Sequence, residues 1–217
     1  METESFYLIE TIYWKEKGAG HGSFHLLDYH LKRMASSANY FGFPFEKERF
    51  LKGLEDTKKR LLAASIKEQV VRVTMDSSGL FNIECLDVPS PPRTPVRIDI
   101  SEQKVDSLDI YLYHKTSERN LFDLERKRLE PLGLFETLFI NERGELTQGT
   151  ITNLFLDTGE RFLLTPALHC GLLPGTLRQY LLDKKKAKEA ILTPNDLISA
   201  KRILVGNSVR GLLEAVL

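Results

Sequence analysis

Lys115 has the setting from which a nucleophilic or general-base lysine is made. It follows the apolar and aromatic run Leu108–Tyr113, in the order Tyr111-Leu112-Tyr113-His114-Lys115-Thr116. Partial desolvation at the end of such a run lowers an ammonium pKa and frees a neutral amine. Position alone leaves the plain alternative open, because Lys115 is one of 30 Lys and Arg, most of them solvated. A second candidate is Thr165-Pro166 followed by Gly171-Leu172-Leu173-Pro174-Gly175-Thr176-Leu177-Arg178. A Gly-rich turn opening a helix exposes backbone N–H groups at the positive end of the helix dipole, which makes a seat for an anion or phosphate. The same residues also serve as an ordinary helix start, and no lysine follows Gly175 as a nucleotide P-loop requires. A third candidate, Arg33, lies off the apolar stripe of a helix, which is the usual place of a solvated charge.

Composition narrows the chemistry. In 217 residues, 30 Lys plus Arg balance 30 Asp plus Glu, so no basic surplus exists to neutralise a nucleic acid backbone. A content of 42% hydrophobic and 28% charged residues is that of an ordinary globular protein large enough to bury its own core. Apolar runs are too short to cross a bilayer, so no membrane partner is expected. Cys85 and Cys170 are far apart without Cys-x-x-Cys or Cys/His spacing, and His25 and His30 have no second ligand at metal spacing. No metal site is expected. The acidic opening Met1-Glu2-Thr3-Glu4-Ser5 lacks the basic and apolar regions of a signal peptide, which predicts a cytoplasmic protein.

Hydrophobic periodicity supplies the elements that must position these residues. Phe6–Trp14 reads as a strand, and Leu31, Met34, Ala35, Ala38 and Phe41 form one face of a helix that starts at an Asp28 N-cap and stops at Gly42 and Pro44. A second helix is predicted from Glu46 to Ala64, followed by strands at Gln69–Met75, Leu80–Val88 and Val96–Ile100. The stretch Val88–Pro95 holds four of the nine prolines and bridges two sheet elements. Further on, Leu108–Tyr113 reads as a strand, Thr116-Ser117-Glu118 as the start of a helix running to Glu130, and Phe135–Ile140 and Thr152–Leu156 as strands flanking the turn Asn141–Gly144. A strand at Phe162–Leu164, a helix opened by Pro174-Gly175-Thr176, and closing strands at Ile203–Val205 and Leu213–Val216 complete the pattern. The lysine run Lys184–Lys188 is expected on a solvated helix end. The fold class is α+β, with domains expected at 1–104 and 105–217.

Taken together, the segments resemble the class IV family of pyridoxal-phosphate enzymes, which includes branched-chain and D-amino acid aminotransferases and aminodeoxychorismate lyases. The likeness rests on ordered blocks. They are His30-Leu31-Lys32-Arg33-Met34-Ala35-Ser36-Ser37-Ala38; His114-Lys115-Thr116; Asn141 through Phe155; Thr165-Pro166 through Arg178; and Gly206-Asn207-Ser208-Val209-Arg210-Gly211. Within the family, the opening strand, Ala38–Pro44, His114-Lys115-Thr116 and Asn207–Gly211 look most like the lyases. The resemblance implies a fold-type IV architecture with a small N-terminal α/β domain, a larger β-rich C-terminal domain, pyridoxal 5′-phosphate between them, and a homodimer. It implies Lys115 as the Schiff-base lysine, Arg33 as the arginine at the cofactor phosphate, and the N–H groups of Thr176 and Leu177, after Gly175, at the same phosphate. Leu173 would pack on the pyridine ring, and Asn207 or Ser208 would complete the phosphate cup.

Two positions depart from the family pattern. Leu146-Thr147-Gln148-Gly149 stands where the family reads Leu-Thr-Glu-Gly, and the glutamate there is the partner of the pyridine nitrogen. A neutral Gln148 can only hydrogen-bond, which weakens the electron sink. Phe122 stands where the lyases often carry tyrosine. The small-molecule reaction implied is conversion of 4-amino-4-deoxychorismate to 4-aminobenzoate and pyruvate, a step toward folate. Alternatives are a branched-chain or D-amino acid aminotransferase and a non-catalytic homologue.

Overall fold

The computed structural model describes residues 6–18 and 20–217; the acidic opening 1–5 lies outside the described residues. Contacts divide the chain into two units, one made of the described residues up to Ser90 together with Lys115–Glu118, the other of Pro91–His114 and Arg119–Leu217. The division therefore falls inside the proline stretch and not at 104/105. The reason lies in the strand beginning at Val96, which pairs only with strands of the second unit.

In the first unit, β1 (Leu8–Gly18), β2 (His21–Phe24), α1 (Leu27–Phe41), α2 (Lys47–Ala63), β3 (Glu68–Met75) and β4 (Phe81–Leu86) follow in chain order. The antiparallel sheet runs β2-β1-β3-β4. Apolar positions of β1 and β3 (Leu8, Ile12, Trp14, Val71, Val73, Met75) meet Leu31, Met34 and Ala38 of α1 and Phe50, Leu54 and Leu61 of α2 in one core. The expected Asp28 N-cap is not one. Leu26, with φ 53°, holds that position without a side-chain cap, and Asp28 sits in the first turn, where its charge still opposes the helix dipole.

The second unit contains β5 (Val96–Val105), α3 (Asn120–Leu129), β6 (Glu136–Asn141), β7 (Leu146–Gly149), β8 (Asn153–Asp157), β9 (Leu163–Pro166), α4 (Thr176–Asp183), β10 (Ala187–Ala190), α5 (Pro194–Ser199), β11 (Arg202–Asn207) and β12 (Gly211–Val216). The strand order is β10-β9-β8-β11-β12-β5-β6-β7. One further pair, Gln148 of β7 with Asn153 of β8, joins the sheet to itself. Six strands thus form a ring filled by Val96, Ile98, Leu138, Leu146, Leu154, Leu156, Ile203, Val205 and Ala215. Gln148 lies at the seam.

Three local expectations change. The expected strand Leu108–Tyr113 is a 3-10 turn over Ile110–Leu112, because the Asp106 and Asp109 side chains accept from the N–H groups of Leu108 and Tyr111 and curl the backbone. The helix expected from Thr116 starts at Asn120, since Lys115–Ser117 pair with β1 instead. The lysine run is not a helix end throughout: Lys184 caps α4, and Lys188 lies in β10 over the Phe162 ring at 3.9 Å. Among the described residues no helix is long and apolar enough to cross a membrane.

Candidate active site

The residues singled out in the sequence fall into two groups, one in each unit. In the first unit, β2 covers β1 only from Trp14 onward, which leaves the β1 edge at Leu8 and Ile9 open on that side. The segment Lys115–Ser117 occupies it. Ile9 N–H donates to the Lys115 carbonyl at 2.8 Å, Ser117 N–H donates to the Tyr7 carbonyl at 2.9 Å, and Leu8 bridges Thr116. A half-buried Lys115 is thereby held on a rigid strand edge.

Glu10, on the same strand, organises Arg33 and His30. Arg33 and His30 are one helical turn apart on α1, on the face toward β1. Arg33 Nε donates to Glu10 Oε1 at 2.8 Å and Nη2 to Oε2 at 2.6 Å, a bidentate fork, while His30 Nδ1 lies 2.6 Å from Oε2. The Arg33 side chain is only 10% exposed, so it is not the solvated charge that its place on the helix suggested. Burial alone would raise the Glu10 carboxyl, but Arg33 and then His30 outweigh it and hold it at about 2. Burial pushes His30 down, further than its carboxylate partner lifts it, and the charges of Arg33 and Lys115 add to the fall. His30 is therefore neutral and donates its Nδ1 proton to Glu10.

In the second unit the seam of the sheet holds the turn before α4. Gln148 Oε1 accepts from Leu173 N–H at 3.0 Å, and the Leu173 carbonyl accepts from Asn153 Nδ2 at 3.0 Å and from Gly175 N–H at 2.8 Å. Leu173, half-buried, is pinned at both ends of its peptide unit. Gly175 is required because a Cβ there would collide with Asn153 Oδ1. Gly175, the N-cap of α4, has no side chain with which to cap the first turn at Thr176 and Leu177, which lies at the positive end of the helix dipole. Asn207 is committed to the loop around it: Nδ2 donates to Ile151 O at 3.1 Å, and Oδ1 accepts from the N–H groups of Val209 and Arg210. Ser208 follows it, largely buried, with no hydroxyl partner among the described residues.

The sequence did not single out Glu136, whose carboxylate is fully buried beneath this seam. It accepts from Thr150 N–H (2.7 Å) and Oγ1 (2.5 Å), Ile151 N–H (3.0 Å), Thr152 Oγ1 (2.9 Å) and its neighbour's Thr137 N–H (3.2 Å). This cage fixes the loop between Gln148 and Asn153. Glu10 was missed likewise. Both acids carried a legible signal, a carboxylate inside an apolar strand run (Leu8-Ile9-Glu10-Thr11-Ile12 and Phe135-Glu136-Thr137-Leu138). Phe122 has a packing role, edge-on to Phe139 at 5.0 Å.

Each group has a chemistry of its own: in the first unit, a lysine on a fixed strand edge beside an arginine–carboxylate fork; in the second, a glycine-only turn at a helix start and the donor Gln148 Nε2, which has no partner among the described residues.

Comparisons with known proteins give the family. The family model described as amino-transferase class IV matches residues 7–216. A Schizosaccharomyces pombe protein named as a candidate aminodeoxychorismate lyase is 24% identical over 202 residues, covering 90% of this chain and 85% of that protein. The crystal structure of a candidate amino-acid aminotransferase from Mesorhizobium loti superposes with a TM-score of 0.86 at 38% identity, over 97% of this chain and 99% of that one. A hypothetical aminotransferase from Mycobacterium tuberculosis, solved in a PLP-bound form, gives a TM-score of 0.83 at 17% identity over 96% and 80%.

Proposed function

Because the chain belongs to the class IV aminotransferase family, enzymes that work with pyridoxal 5′-phosphate, we propose that it is a lyase converting 4-amino-4-deoxychorismate to 4-aminobenzoate and pyruvate. Lys115 holds the cofactor covalently and, as the free amine, removes the substrate ring proton. Arg33, braced by Glu10, the first turn of α4 at Thr176 and Leu177 after Gly175, and the Ser208 hydroxyl beside Asn207 bind the phosphate. Leu173 supplies the apolar face for the pyridine ring, and Gln148 meets the ring nitrogen. When bound, the cofactor supplies an electron sink for the carbanion left on the substrate.

The observation that carries the lyase reading is Gln148, a neutral group where a strong sink needs a carboxylate. Loss of pyruvate aromatises the substrate ring, a driving force that makes the reaction less dependent on the sink. The name of the S. pombe relative supports the same reading. The test is turnover of aminodeoxychorismate by purified protein with pyridoxal phosphate and no oxo acid; release of 4-aminobenzoate is expected. A second reading, an aminotransferase for a small amino acid, has the Mesorhizobium loti likeness in its favour and requires an added oxo-acid acceptor. A homodimer is part of the proposal, and sedimentation of the purified chain tests it.

A further inference from the structure

Gln148 fixes its own amide orientation, and this has a consequence for anything bound at its other end. A backbone N–H can only donate, so the Gln148 atom 3.0 Å from Leu173 N must be the oxygen. The remaining terminal group, Nε2, is a donor with no partner among the described residues. Reversing the amide would set two donors face to face and strand the Leu173 N–H, itself held in place because the Leu173 carbonyl is tied to Asn153 and Gly175. A carboxylate at this position would have no such polarity, since either oxygen could accept.

We infer that Gln148 donates through Nε2 to the pyridine nitrogen of the bound cofactor and so keeps that nitrogen unprotonated. This rests on the pyridoxal-phosphate reading above and adds the protonation state of the ring. A pyridinium N–H would meet the amide donor head-on, whereas a neutral nitrogen offers it a lone pair. The carboxylates on the elements packed against Gln148 are otherwise engaged. Glu136 of β6 is filled by its five donors, and Glu145, just before β7, takes Asn141 Nδ2 at 2.7 Å and Arg143 Nε and Nη2 at 3.0 and 2.7 Å. Asp157, at the far end of β8, is paired with Arg202. Beside the loop, the Arg119 guanidinium donates to the Thr150 carbonyl at 3.2 Å and is paired with Asp123. The site therefore selects a ring that withdraws electrons weakly. That suits an elimination in which the substrate ring gains aromaticity and handicaps the proton shuttling of transamination.

The experiment uses the full chain loaded with pyridoxal phosphate labelled with 15N in the ring. Borohydride fixation on the Lys115 peptide first confirms that the cofactor is bound where the wider reading requires. The ring 15N signal of the wild type should then sit at the neutral pyridine position and stay there on both sides of neutrality. Gln148→Glu should move it to the pyridinium position. In Gln148→Met, which fills the same space without a donor, the wild-type signal should shift toward that of a ring nitrogen with no hydrogen bond. A pyridinium signal in the wild type, or an unchanged signal in Gln148→Met, overturns the inference and leaves the cofactor reading standing. Failure to fix any cofactor on Lys115 overturns the cofactor reading itself, and the inference with it. If Gln148→Glu does not fold, the wild-type and Gln148→Met spectra decide the matter.

Discussion

The two groups of site residues are built on opposite electrostatic plans. In the first unit the organiser is an ion cluster: Glu10 faces the cations, and its charge aims Arg33 through a two-point fork and His30 through its Nδ1 proton. In the second unit the organiser, Glu136, is also a buried carboxylate, yet it meets no cation among the described residues. Its oxygens are filled by backbone N–H groups and threonine hydroxyls, and what it aims is a stretch of backbone. A charged pair fixes the direction of a side chain, whereas a carboxylate caged by N–H groups fixes the path of a loop. The groups proposed to meet the cofactor follow from this difference: long cationic side chains in one unit, and neutral amides and peptide N–H groups in the other.

Removing the covalent anchor should have the largest effect. Lys115→Ala should abolish both the visible absorbance of lysine-bound cofactor and borohydride fixation, and fixation of cofactor on another lysine in the wild type would refute the assignment. Breaking either organiser comes next. Glu10→Gln leaves Arg33 without its counter-ion and should destabilise the protein by about 3 to 5 kcal/mol in chemical denaturation at neutral pH. Glu136→Gln places an amide donor against N–H and hydroxyl donors and should cost about 2 to 4 kcal/mol. If the two plans differ as described, adding Arg33→Ala to Glu10→Gln should recover part of the lost stability, because the stranded cation goes with it, whereas no such second substitution exists for Glu136→Gln. A double variant no more stable than Glu10→Gln alone would break the comparison.

Acid should act on the first unit through Glu10 and His30. The Glu10 carboxyl lies below its usual 4.5, so its contribution, on the order of 3 kcal/mol, is complete above about pH 4.5 and lost as pH falls through about 2. His30 is depressed below its usual 6.5, so the unfolded chain binds that proton first and stability begins to fall below about pH 6.5. Both groups act in the same direction. Glu10→Gln should flatten the lower limb of a stability–pH curve, and an unaltered limb would show that other carboxylates govern it. A smaller effect is expected for Arg33→Ala on cofactor binding, a weakening of about 1.5 to 3 kcal/mol by titration. The apo stability of that variant must be measured alongside, since Glu10 also loses its partner.

Much of this was legible in the sequence, for reasons that can be named. Long elements with clear periodicity, such as α1, α2 and β3, are where apolar spacing puts them. Several short ones were missed. β7 and β10 have four residues each, and β10, Ala187-Lys188-Glu189-Ala190, lies at a sheet edge where pairing, not side-chain burial, makes the strand. For α5 the signal was present in Thr193-Pro194-Asn195-Asp196, a capping box with proline at the helix start. Arg33 was misplaced because a helical wheel shows only which side of the helix a charge occupies, whereas its partner Glu10 arrives from a strand. The contrast with Glu84 is instructive. It too follows an apolar strand residue, yet β4 is an edge strand and Glu84 is exposed, whereas β1 and β6 have strand neighbours on both sides. An acid in an apolar run signals a buried organiser only when its strand is interior, and sheet order is the part that the sequence alone does not state.

The smallest expected change is the most discriminating. Gln148→Glu alters one amide group at the seam, and the carboxylate can still accept the Leu173 N–H with one oxygen while the other receives a pyridinium proton. Fold and cofactor occupancy should hold, with absorbance confirming equal loading. The electron sink should deepen, so transaminase side activity should rise, by roughly tenfold for each 1.4 kcal/mol of added carbanion stabilisation. Lyase turnover should change less, because its carbanion is consumed by expulsion of pyruvate and the gain of aromaticity. The quantity to measure is therefore the ratio of the two activities in wild type and variant. A flat ratio, with both rates raised or neither, would show that the neutrality of Gln148 does not select between the reactions and would remove the chief reason for preferring the lyase.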